Sequence, residues 1–141
     1  MENVVLFSFP VLFAAGVLSL LSYVFWASTR KLPIEQNKEL IHGERCGGLA
    51  GAGMRFKGPF VRLAIYKDFL VLGHLQSVVL NFSEIESVES GGMWGTALCI
   101  NHTRKNLGAI QLSVSNHERL KALLTHLIEQ ARQAQGHARD S

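Results

Sequence analysis

Two pairs of metal-type ligands are the first chemistry this 141-residue chain offers. His42-x3-Cys46 and Cys99-x2-His102 combine imidazole with thiol, the ligand types of tetrahedral zinc sites. The spacing works against them. Cys99 and His102 are three apart on a predicted strand and so project to opposite faces. Cys46 lies in a glycine-rich stretch with no second close ligand. Metal binding through His42, Cys46, Cys99 and His102 is therefore the remote alternative. A small buried Cys99 and a strand-end His102 are the plainer reading. Glu84, Glu86 and Glu89 cluster, but Glu84 and Glu86 alternate with apolar Ile85 as a solvated strand face does. There is no HExxH motif and no nucleophile–base order. The expectation is a chain without catalysis or cofactor.

The glycines invite a second chemistry. Gly43, Gly47, Gly48, Gly51, Gly53 and Gly58 hold six of the thirteen in one segment. Gly51-Ala52-Gly53 is followed by Met54-Arg55-Phe56, so the third glycine of a phosphate-cradling fingerprint is missing. No apolar strand precedes it and no helical pattern follows. The segment reads as a flexible loop or a bulged, irregular first strand.

What remains is electrostatic. All fourteen Lys and Arg lie from Arg30 onward, against ten of the eleven acidic residues, and the chain carries +3 overall. This excess is too small and too scattered for nucleic acid. It suits an anionic membrane surface, with Arg55, Lys57, Arg62, Lys67, Arg104 and Lys105 as candidate lipid or partner contacts. The plainer reading of these six is a solvated strand face and hairpin tip. Two distant cysteines read as reduced thiols in a cytosolic domain, with a single disulfide as the alternative.

These residues are positioned by one dominant element. Val4 to Trp26 runs for 23 residues without a charge, and a bilayer core of about 30 Å needs roughly 20 such residues as helix. Met1-Glu2-Asn3 lacks the basic n-region of a signal peptide, and the apolar run is too long for one. An uncleaved anchor is expected. Arg30, Lys31 and Lys38 follow it, which puts the N-terminus outside and the C-terminal domain in the cytoplasm, at the inner membrane. Tyr23 and Trp26 stand where an interfacial aromatic belt would be. Ala15 and Ser19 form a small-xxx-small pair that could join two helices. Beyond it, Ile34 to Ile41 reads as a linker with weak helical character after Pro33.

The middle of the chain is β. Phe60–Tyr66 alternates, with Val61, Leu63 and Ile65 against Arg62 and Ala64. Strands follow at Phe69–Leu72, Ser77–Leu80, Phe82–Glu89, Thr96–His102 and Leu107–Ser113, at hairpin spacing that implies an antiparallel sandwich or partly open barrel. Ser115-x-x-Glu118 reads as a capping box. Behind it, Leu120, Leu123, Leu124, Leu127, Ile128 and Ala131 form one apolar stripe on a helix to about Gln133, which must be buried, and the barrel's open end can take it. Boundaries follow at 1–28 for the transmembrane anchor, 29–44 for the linker, 45–134 for the domain and 135–141 for a frayed tail.

The run VRLAIYKDFLVLGHLQSVVLNFSEIESVE (Val61 to Glu89), the later ALCINH, and AIQLSVSNHERLKALLTHL resemble the opening hairpins, closing hairpin and capping helix of bacterial pleckstrin-homology-like (PH-like) domains. This resemblance implies a PH-like sandwich or partly open barrel capped by a C-terminal helix. It implies an interaction module that binds a protein partner or a second copy of itself. Phosphoinositide-binding members carry a K-x(n)-R-x-R run in the first hairpin. Lys57 and Arg62 match it, and Ala64 stands where the second arginine would be. The joint expectation is a single-pass, membrane-tethered PH-like module, with anionic-lipid contact as the alternative.

Overall fold

Alternation in the first long strand sets the two faces of the sheet. A computed structural model describes residues 2–49, 55–73, 77–92 and 96–139, with the side chains of 2–9, 28, 49, 55–59 and 137–139 outside the description. In order the elements are helix α1 (Glu2–Thr29), a 3-10 turn (Pro33–Glu35), β1 (His42–Leu49), β2 (Arg55–Ile65), β3 (Phe69–Gly73) and β4 (Val78–Asn81). After a second 3-10 turn (Phe82–Glu84) come β5 (Ile85–Gly91), β6 (Ala97–His102), β7 (Ile110–Ser113) and helix α2 (His117–Arg139). One antiparallel seven-stranded sheet results, in the order β4-β3-β2-β1-β7-β6-β5. It curls around a core of Val61, Leu63 and Ile65 from β2, Leu70 and Leu72 from β3, and their counterparts on β6 and β7. The predicted partly open barrel is therefore present, as a single sheet with its edges at β4 and β5.

β1 makes the corner of this barrel. Its first half pairs with β2, from His42 opposite Ile65 to Cys46 opposite Val61. Gly47 to Leu49 pair with Ser113 to Gln111 of β7, and the register with β2 shifts between Cys46 and Gly48. Gly48 has φ +141°, and a Cβ there would lie 2.1 Å from the Gln111 carbonyl oxygen. Only glycine permits that approach. Of the two readings of this segment, the bulged first strand holds for Gly43 to Leu49, while residues 50–54 lie outside the described residues and Gly58 belongs to β2; β1 starts three residues before the boundary read at 45.

Two other boundaries differ. Phe82–Glu84 is a 3-10 turn rather than the start of a strand, because the Glu84 carboxylate turns back to accept the Asn81 backbone N–H at 3.0 Å. β7 starts at Ile110, since Leu107 N–H closes the preceding turn onto the Arg104 carbonyl.

Helix α2 plugs the barrel as its stripe requires. Leu120, Leu124, Leu127 and Ile128 are buried, with Leu123 and Ala131 partly so. Its cap is not the predicted Ser115 box. Asn116 Oδ1 accepts the Arg119 N–H at 3.2 Å, and the first helical bond runs from Leu120 N–H to the Asn116 carbonyl. Because the helix begins at His117, Asn116 and not Ser115 occupies the N-cap position, and Glu118 is left to accept from Ser90 Oγ at 3.2 Å. The helix also runs on to Arg139, through residues read as a frayed tail. Ala134, Gln135 and Ala138 are all good helix formers.

Candidate functional site at the junction of the apolar helix and the sheet

β3 is buried along its whole length, so something must cover its outer face as well as its inner one. Phe69 and Val71 point outward with Ala64 and Tyr66 of β2, forming a second, smaller apolar cluster that Leu32 and Val79 complete. The last turns of α1 lie against β2 and β3. The segment after α1 then returns across the sheet, and one acidic side chain fastens it.

Glu35 is that side chain, and it is 3% exposed. Its carboxylate accepts Arg62 Nη1 at 2.7 Å on Oε1 and Arg62 Nη2 at 2.6 Å on Oε2, a two-pronged pair. Tyr66 Oη donates to Oε1 at 2.7 Å, and the Leu32 backbone N–H donates to Oε2 at 2.5 Å. Burial by itself raises the Glu35 pKa. Donation from Arg62, from the Leu32 N–H and from Tyr66, together with the Arg62 charge, outweighs this and holds the carboxyl below its ordinary value. Arg62 is shifted up by the same pair, with the Glu35 hydrogen bonds the largest cause. Burial and the Glu35 contact push the Tyr66 phenol up. Arg62 Nη2 also donates to the Arg30 carbonyl at 3.4 Å, which ties the end of α1 to β2.

Arg45 of β1 lies directly opposite Arg62. Two like charges in that position repel. Glu35 neutralises one of them, and the Arg45 guanidinium sits 4.1 Å over the Phe25 ring of α1. The weak helical character read for Ile34 to Ile41 amounts to a single 3-10 turn. Only Pro33–Glu35 is helical, and Asn37 in the left-handed region (φ 64°) turns the chain toward β1.

A second Glu–Arg pair lies in the open, with a different geometry. Glu84 accepts the Asn81 N–H and takes Arg104 Nη2 on both oxygens at 2.9 Å, while Arg104 Nη1 donates to the Val79 carbonyl at 3.0 Å. This pins the β6–β7 hairpin across the gap between β4 and β5. Burial would raise the Glu84 carboxyl, but the Asn81 N–H and Arg104 bring it below its ordinary value.

Among the described side chains the candidate basic residues are thus not one patch. Arg62 and Arg104 are each occupied by a carboxylate. Lys67 and Lys105 are exposed on separate turns. Arg55 and Lys57 lie on the β2 backbone, with side chains outside the described residues. Nor do the four metal-type residues converge. Cys46, not Cys99, is the buried one, and burial, with the nearby Glu44 charge, pushes its thiol up to about 12. His42 Nε2 lies 3.3 Å from Glu44 and His102 Nε2 lies 3.2 Å from the Gly108 carbonyl. Among the described residues no group of three His, Cys, Asp or Glu side chains is placed to hold a metal.

Glu35 and Tyr66 escaped the sequence reading. The signal available was β3 itself, since Phe69-Leu70-Val71-Leu72 does not alternate, and an unbroken apolar strand means both faces are covered.

The fold has solved counterparts. The chain is similar to the crystal structure of the C-terminal domain of an unknown protein from Leishmania infantum, with a TM-score of 0.54 and 13% identity over 79% of this chain and 97% of that one. It is similar to the Vps36 N-terminal PH domain, with a TM-score of 0.54 and 13% identity over 76% of this chain and 89% of that one. No family model matches the chain, and no curated protein does. At this identity the likeness carries the fold alone, a PH-like one, which in this chain follows the apolar helix α1.

Proposed function

We propose that the chain is a membrane-tethered PH-like interaction module that binds a protein partner or a second copy of itself, without catalysis. One observation carries the reading. The helix α1 is long and apolar enough to cross a membrane, and none of its window Pro10–Ala27 is buried against the rest of the chain. At 1.5 Å per residue, 18 residues span about 27 Å, close to a bilayer core. Val11, Leu12, Phe13, Leu18 and Leu20 are each more than 60% exposed, a surface that water does not tolerate and lipid does. Arg30 and Lys31 at its end favour a cytoplasmic domain. PH-like domains generally bind proteins or lipids, and the engagement of Arg62 and Arg104 with carboxylates favours protein contact over lipid contact through the basic residues of the hairpins.

The test is photo-crosslinking of the full-length chain in intact membranes, followed by affinity purification and mass spectrometry. A dominant partner, or a clean ladder of self-crosslinked species, supports the module. A chain that crosslinks to nothing above background overturns it.

A further inference from the structure

Where α1 meets the sheet there is a cleft of about 480 Å³, whose walls include Tyr23, Trp26, Arg30, Lys31, Gln36 and Ser77. That is the size of a small-molecule pocket. It opens at the end of the apolar window, which stops at Ala27. Among the described residues two cations stand in its walls and no acidic residue does. Among the described residues neither Arg30 nor Lys31 has a carboxylate partner, in contrast to Arg62, Arg104 and Lys38. Nor is Arg30 loosely held. Its guanidinium lies 5.7 Å from the Trp26 ring centre, and its carbonyl is fixed by Arg62. The nearest carboxylate in sequence, Glu35, is turned inward and spent on Arg62. An uncompensated pair of cations beside two amphipathic aromatic rings matches an anion that carries hydrocarbon.

We infer that this cleft binds the phosphate headgroup of an anionic glycerophospholipid from the membrane in which α1 sits. Arg30 and Lys31 hold the phosphate, Gln36 and Ser77 face the polar rim, and the acyl chains run down α1 past Trp26 and Tyr23. This rests on the tethered reading above. It assigns lipid contact to residues other than the six basic positions of the hairpins.

The full-length chain is reconstituted into nanodiscs of phosphatidylcholine with a minor fraction of phosphatidylglycerol, and lipids retained on the released protein are read by native mass spectrometry. Selective retention of phosphatidylglycerol is expected. Each cation near an anionic headgroup contributes about fivefold, so Arg30→Gln with Lys31→Gln lowers that selectivity by about 25-fold. The equal charge change Lys67→Gln with Lys105→Gln leaves it nearly unaltered. Equal losses in the two double variants, or no preference over phosphatidylcholine, overturn the inference, as does displacement of the lipid by millimolar inorganic phosphate. A chain that does not enter nanodiscs overturns the tether and this inference together, whereas insertion without selectivity overturns this inference alone.

Discussion

Replacing Arg62 by Leu removes both prongs from a carboxylate whose side chain is 0% exposed, against 14% for the arginine. Orphaning one partner of a buried pair costs about 3–5 kcal/mol. Glu35 need not bear that cost in place. The large core between the sheet and α2 contains neither residue, and the linker packs only on the smaller outer cluster. The least costly response is therefore for the linker to leave the sheet and hydrate Glu35, with the barrel intact. Amide hydrogen exchange on the full-length chain in mild detergent reads this directly. Exchange at Leu32, Glu35, Gln36 and Lys38, whose N–H groups bond within the docked linker, should accelerate by roughly two to three and a half orders of magnitude. Exchange in β2, β3 and β6 should stay near wild type. Arg104→Leu is the control. That pair is also a hydrogen-bonded Glu–Arg contact but is 40% and 27% exposed, so its loss should cost only about 1 kcal/mol. Unchanged linker exchange in a folded Arg62→Leu protein would refute the role given to the pair. Global unfolding would refute the separation of the two clusters.

Acidification should open the same junction. The Glu35 carboxyl titrates below its ordinary 4.5 when docked, so its contribution is full above that value and lost as pH falls through the docked one. Linker exchange corrected for intrinsic rates should rise across that acid window, and Glu35→Gln should flatten the response; an equal pH response in the variant contradicts the assignment. Gly48→Ala places a methyl on the Gln111 carbonyl at φ +141°. The backbone alone costs about 1–3 kcal/mol, so with the clash a Tm fall of roughly 12 °C or more is expected by calorimetry, and a fall of a few degrees would contradict the corner. Leu124→Asp puts a charge at a fully buried site. It should unfold the barrel, as read by circular dichroism, and a folded variant would contradict the placement of α2.

How much of this was legible in the sequence depends on whether a signal was local. The apolar run of α1, the alternation of Val61, Leu63 and Ile65, and the stripe from Leu120 to Ile128 are periodic within one element, and each lies where its period demands. β1 was harder. Its glycines lower strand propensity, and the reason for Gly48 is a carbonyl of β7 more than sixty residues away in sequence. The cap of α2 turned on a one-residue difference, Asn116 against Ser115, that a capping motif does not resolve. For the candidate site, residue type misled. Arg62 and Arg104 have the chemistry of anion contacts, but Glu35 and Glu84 reach them across 27 and 20 residues. No local pattern encodes such a pairing. Arg30 and Lys31 entered the sequence reading only as a topological flank, because their lack of a carboxylate partner among the described residues is a property of the folded chain.

The central claim is that α1 lies in a bilayer and presents the PH-like domain at its cytoplasmic face. Alkaline carbonate extraction of membranes bearing the full-length chain, paired with protease digestion of right-side-out and inside-out vesicles, tests it most directly. The account predicts that the chain stays with the membrane at alkaline pH and that the domain is cut only in inside-out vesicles. Release of the chain into the carbonate supernatant, or digestion of the domain in right-side-out vesicles, would contradict it.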